Sequence, residues 1–108
     1  MIEIQYFPEC PNYLKTIKSI NELISEGLIL EAELKLTPVL DFETAQKLKF
    51  LGSPTILYNG IDIYTECKPV GFNYACRLYI IDGLITGSLT KDFIKEKINK
   101  LKQLKEEA

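Results

Sequence analysis

Three cysteines and no histidine set the chemical repertoire of this 108-residue chain. Cys10, Cys67 and Cys76 offer thiolates, while the missing imidazole removes His-based triads and most zinc enzymes. Cys10 has the most informative surroundings. It lies in Phe7-Pro-Glu-Cys-Pro-Asn-Tyr13, after an alternating apolar run and before a helical period. Pro11 suits the first position of a helix, where its absent N–H is no loss, so Cys10 is expected at the N-cap. Unpaired backbone donors and the helix dipole favour a thiolate there. The competing reading is a small residue filling a capping position, and the Glu9 carboxylate opposes ionisation. Tyr13 is either a rim aromatic or a hydrogen-bonding partner for a ligand at Cys10.

The elements that must position these residues follow from periodicity. Ile2, Ile4 and Tyr6 alternate with polar neighbours as a first strand, and Leu14, Ile17, Ile20 and Ile24 then recur at helical spacing until Gly27. Leu28 to Thr37 reads as a second strand with one wet face near a sheet edge, ended by Pro38. Asp41 caps a second helix with Phe42, Ala45, Leu48 and Leu51 on its apolar stripe, stopped at Gly52. Asn59-Gly60 between two alternating runs, Thr55 to Tyr58 and Ile61 to Tyr64, is a hairpin signal. Thr65 to Ala75 is a long loop carrying Cys67. Arg77 to Ile81 and Leu84 to Thr86 form a small extra hairpin around Asp82-Gly83, and Thr90 caps a last helix that frays at Glu106-Glu107-Ala108.

The order strand, helix, strand, helix, hairpin, helix gives an α/β fold: one domain over residues 1–108, with a right-handed β–α–β unit, a mixed four-stranded sheet and helices on both faces. Apolar residues at 46% with 26% charged are the balance of a globular protein, and a net charge of −2 leaves no basic footprint for nucleic acid. No apolar run is long enough to span a bilayer, and the first residues lack a secretory pattern, so a cytoplasmic protein is expected. An odd cysteine count there argues for redox or metal chemistry, or for plain buried thiols, over a static disulfide framework. No Cys-x-x-Cys pair is present, so zinc ranks below redox, and two thiolates suit soft thiophilic ions better than hard ones. Oligomeric state is not encoded in these patterns.

Phe7-Pro-Glu-Cys-Pro-Asn-Tyr13, Gly52-Ser-Pro-Thr55 and Cys76-Arg-Leu-Tyr79 resemble the small thioredoxin-like proteins. More narrowly, they resemble a bacterial and archaeal group with Cys-Pro-Asn, Gly-Ser-Pro-Thr and Cys-Arg-Leu-Tyr motifs that is sometimes labelled alkylmercury-lyase-like. The likeness covers nearly the whole chain. It implies a thioredoxin-like fold and a cis Ser53–Pro54 peptide facing Cys10, with Pro54 presenting the backbone atoms of Ser53 to a bound thiol or peptide. It also marks Cys76, which the long loop could carry over the Cys10 corner; Cys67 with Cys76 is the competing pair, and a buried, inert Cys76 the remaining reading. Arg77 would lower the Cys76 thiol or hold a substrate carboxylate, or it is a plain surface charge.

One departure matters. Tyr13 stands where a dithiol oxidoreductase of this kind has its second cysteine. No Cys-Gly-Phe-Ser signature supports glutathione or iron–sulfur binding, so no cofactor is expected, and no carboxylate within Cys10-Pro-Asn-Tyr13 supports organomercurial cleavage. The expected function is thiol–disulfide exchange with a thiol or disulfide substrate, small or protein, in which Cys10 attacks and Cys76 resolves. The alternatives are a non-catalytic binding module for a protein partner or a thiophilic metal, and a structural domain with an inactive site.

Overall fold

The computed structural model describes residues 1–107, with side chains through residue 104. Its elements are β1 (Ile2–Tyr6), α1 (Asn12–Ser25), β2 (Leu34–Pro38), α2 (Phe42–Leu48), β3 (Thr55–Tyr58), β4 (Ile61–Asp62), β5 (Tyr79–Ile81), β6 (Leu84–Thr86) and α3 (Lys91–Glu107). Four strands form one mixed sheet in the order β2-β1-β3-β4. β1 runs parallel to β2 and antiparallel to β3, and β3 is antiparallel to β4. β5 and β6 form a separate two-stranded hairpin. At the fraying C-terminus expected from sequence, α3 continues to Glu107 and Ala108 lies outside the described residues.

β1 is central because both its neighbours need it, and its alternation shows why. Ile2 and Ile4 are fully buried and pack with Ile56 and Tyr58 of β3, Ile20 and Leu23 of α1, and Ile94, Ile98 and Leu101 of α3. Ile4 and Ile56 are direct cross-strand partners in this layer. A second, smaller cluster joins α2 to the loops near the site: Val39, Ala45 and Phe50, with Phe7, Leu48, Phe72 and Tyr74 against them. The α1 stripe is rotated from the expected one. Thr16, Ile20 and Leu23 face inward and Leu14 is exposed, because the apolar arc of this helix is wide and the position of α3 selects which part is covered.

Other boundaries shift for local reasons. Glu31–Glu33 forms a 3₁₀ turn, so β2 begins only at Leu34, on the sheet edge as expected. α1 ends in a Schellman motif: Gly27 N–H donates to the Ile24 carbonyl and Leu28 N–H to the Leu23 carbonyl, both at 3.0 Å. α2 stops earlier than expected, at Leu48, with Lys49 left-handed, while Asp41 caps its start by accepting from Thr44 N–H at 2.7 Å. Thr90 Oγ1 accepts from Phe93 N–H at the start of α3. Asn59-Gly60 and Asp82-Gly83 both have positive φ at both positions, the geometry that two-residue hairpin turns need.

Candidate functional site

Cys10 and Cys76 are joined in a disulfide with Cα atoms 5.9 Å apart, closing a sequence separation of 66 residues. That distance is ordinary for such a bridge. Cys67 takes no part in it and is exposed and free, so the competing Cys67–Cys76 pair is not formed. Cys10 precedes Pro11, which serves as the N-cap of α1 with near-helical dihedrals; the helix starts one residue later than the sequence implies. A tight turn delivers Cys10 from the end of β1, its N–H donating to the Phe7 carbonyl at 2.9 Å.

The cis Ser53–Pro54 peptide faces this corner, and Cys10 Sγ lies 3.8 Å from the Ser53 carbonyl oxygen. The backbone of Ser53 is not open to a substrate, however. Its N–H donates to the Ala75 carbonyl at 2.9 Å, and its carbonyl accepts from Arg77 N–H at 2.8 Å. Residues 75–77 therefore run beside Ser53 as a short parallel bridge, with Cys76 as the paired residue. The expectation that Ser53 offers its main chain to a bound peptide is corrected: both groups are spent within the chain.

Gly52 permits this close approach. Its φ is +114°, and a Cβ there would meet Arg77 Cβ at 2.9 Å and the Ala75 carbonyl at 3.2 Å. Thr55 completes the segment, donating to the Gly52 carbonyl at 2.5 Å and accepting from Arg77 at 3.3 Å.

Arg77 is neither a surface charge nor turned toward a substrate. It is 8% exposed, and its guanidinium makes two 2.8 Å bonds to the two carboxylate oxygens of the 1% exposed Asp62. The rings of Tyr64 and Tyr79 flank it, with centroids 5.4 and 4.7 Å from the guanidinium carbon. Burial works against its charge, yet the bonds it donates to Asp62 hold Arg77 above its ordinary value and so fully protonated. Burial also pushes the Tyr79 phenol up, against the opposing pull of Arg77; Tyr79 stays neutral and donates to the Pro54 carbonyl. The effect is mechanical. Asp62, fixed on β4, holds Arg77, and Arg77 holds the neighbouring Cys76 against Ser53.

The loop before Cys76 is tied down as well. Glu66 pairs with Lys97 at 3.1 Å and Lys100 at 2.8 Å on α3, and Asn73 N–H donates to the Phe50 carbonyl at 2.6 Å. Tyr13, one turn along from Cys10, is half-buried and stacked on Tyr6, with ring centroids 4.6 Å apart.

Exposure separates the two bridge residues. Cys10 is 1% exposed, whereas Cys76 is exposed. Sequence reasoning found Cys10, Cys76, Ser53, Pro54 and Arg77, and the structure brings these five together. It missed Asp62 and Tyr64. A carboxylate in the apolar run Ile61-Asp-Ile-Tyr64 was the available signal, since a buried charge needs a partner and the chain has a single arginine.

Among the described residues no group of three or more His, Cys, Asp or Glu side chains could hold a metal ion, and no helix is long and apolar enough to cross a membrane. No family model, curated protein or solved structure matches the chain.

Proposed function

We propose that the Cys10–Cys76 pair is a reversible dithiol–disulfide centre on a thioredoxin-like domain, exchanging with thiol and disulfide substrates in a reducing, cytoplasmic compartment. The observation that carries the reading is the placement of the bridge. It joins the N-terminal end of a helix to an exposed residue beside a cis-proline peptide, and that exposed residue is where an external thiol would meet the bridge. In the reductive direction two substrate thiols give their electrons to the bridge, yielding one substrate disulfide and the Cys10 and Cys76 thiols. In the oxidative direction a substrate disulfide is reduced and the bridge re-forms. Cys76 supplies the second thiol that Tyr13 displaces from the usual position.

A structural crosslink is the second reading, favoured by the burial of Cys10 and by the pairing of residues 75–77 with Ser53. One titration separates them. A Cys67→Ser protein is equilibrated over a glutathione redox series, acid-quenched and weighed after alkylation. Exchange predicts a midpoint between about −180 and −270 mV, whereas a bridge still oxidised below about −300 mV is structural and sinks the proposal.

A further inference from the structure

We propose that exchange enters the bridge through Cys76, with Cys10 as the leaving and resolving thiol, and that the substrate is a low-molecular-weight thiol or its disulfide. This inference rests on the exchange reading and reverses the roles expected from sequence, where Cys10 attacks. Three observations carry it.

Access is the first. Cys10 is 1% exposed, enclosed by the turn from Phe7 and by the Ser53 carbonyl 3.8 Å from its sulfur, while Cys76 is exposed. Thiol–disulfide exchange requires the attacking sulfur to approach one sulfur of the bridge, and access decides which.

Leaving ability is the second. Attack on Cys76 Sγ breaks the bond to Cys10 and leaves the electron pair on Cys10, beside the N-terminus of the 14-residue α1, whose first turn holds no acidic residue. The helix end favours negative charge at that point, against the opposing effects of burial and of the adjacent Glu9, and a more stable thiolate departs faster. The steps balance: a substrate thiolate bonds to Cys76 Sγ as the Cys10 thiolate leaves, and a second substrate thiolate then takes the first off Cys76. The products are a substrate disulfide and the Cys10 and Cys76 thiolates. In reverse, the Cys76 thiolate attacks a substrate disulfide, and Cys10 displaces the remaining substrate thiolate to close the bridge.

The third is the filled edge at Ser53. Its N–H and carbonyl are both bonded to residues 75–77, and Arg77 anchors that segment through the two 2.8 Å bonds to Asp62, which do not involve the sulfurs. A protein substrate cannot add a strand there. A small thiol needs no such edge and meets Cys76 directly at the surface.

The test uses the full chain in a Cys67→Ser background, with oxidised glutathione as the probe. Adduct formation at Cys76 in a Cys10→Ser variant should be at least about tenfold faster than at Cys10 in a Cys76→Ser variant. The bridged protein treated with excess reduced glutathione and quenched in acid should carry the trapped adduct on Cys76. That second measurement needs no cysteine variant at either bridge position, so it decides the matter if Cys10→Ser fails to fold. Faster reaction at Cys10, or a trapped adduct on Cys10, overturns the order of attack and leaves exchange standing. A bridge that exchanges at neither sulfur overturns both proposals.

Discussion

Opening the Cys10–Cys76 bridge should cost the folded chain about 4 kcal/mol, and the same quantity should appear a second time in the redox equilibrium. The bridge closes a loop of 66 residues, and removing that constraint from the unfolded chain returns roughly 4 kcal/mol of entropy. At about 4 to 5 °C per kcal/mol for a domain of this size, reduction should lower Tm by roughly 15 to 20 °C. The native contacts that hold Cys76 in place do not need the bridge, since Arg77 is bonded to Ser53 and to Asp62 independently. A thermodynamic cycle therefore applies: whatever the bridge adds to folding, folding adds to the bridge. Oxidation of the folded chain should be favoured over oxidation of the urea-unfolded chain by about 10³, which for two electrons is roughly 90 mV. Glutathione titrations of a Cys67→Ser protein with and without denaturant measure this ratio, and melting curves with and without reductant measure the other side of the cycle. A ratio below about tenfold would refute the idea that the fold holds these cysteines together in advance.

Asp62→Asn leaves the buried Arg77 charge uncompensated and should cost about 3 to 5 kcal/mol, read from the urea midpoint, while loosening Cys76 enough to raise the potential of the bridge. Gly52→Ala should cost at least about 2 kcal/mol in the same assay, because it combines a φ of +114° with a contact of 2.9 Å to Arg77 Cβ. Glu66 is held below its ordinary value of 4.5 by its bonds to Lys100 and Lys97. Its contribution to stability is thus fully present above that value and lost as pH falls through its lowered folded value. Glu66→Gln should flatten the fall of Tm with pH below about 4.5, with little change near neutrality, and the difference should shrink in high salt.

The sequence carries most of the sheet and all three helices, because those are written in short-range periods. Asn59-Gly60 and Asp82-Gly83 mark the two hairpin turns, and Pro11, Asp41 and Thr90 mark helix starts to within a residue. It fails where a partner lies far along the chain. The carboxylate inside Ile61-Asp-Ile-Tyr64 signals that Asp62 needs a partner, but nothing local says that residues 75–77 will fill the edge of Ser53, which depends on how the loop returns to the sheet. The burial of Cys10 is illegible for a related reason. A helix N-terminus can be read locally as an electrostatic environment, but the enclosure that leaves Cys10 1% exposed depends on segments far along the chain. The inward face of α1 was ambiguous because Leu14, Ile17, Ile20, Leu23 and Ile24 spread over a wide arc, and the packing of α3 breaks the tie.

Tyr64 has a further consequence, on the side away from Arg77. Its hydroxyl accepts from Ile80 N–H at 3.2 Å and donates to the Ile80 carbonyl at 3.4 Å, so one side chain occupies both outward-facing groups in the middle of β5. The hairpin exposes Ile80, Leu84 and Ile85, and an apolar strand pair with a bare edge is a template on which further chains can stack. The Tyr64 hydroxyl thus does for β5 what edge charges and prolines do on other strands: it leaves the middle of the strand without a free donor or acceptor for a further strand to pair with.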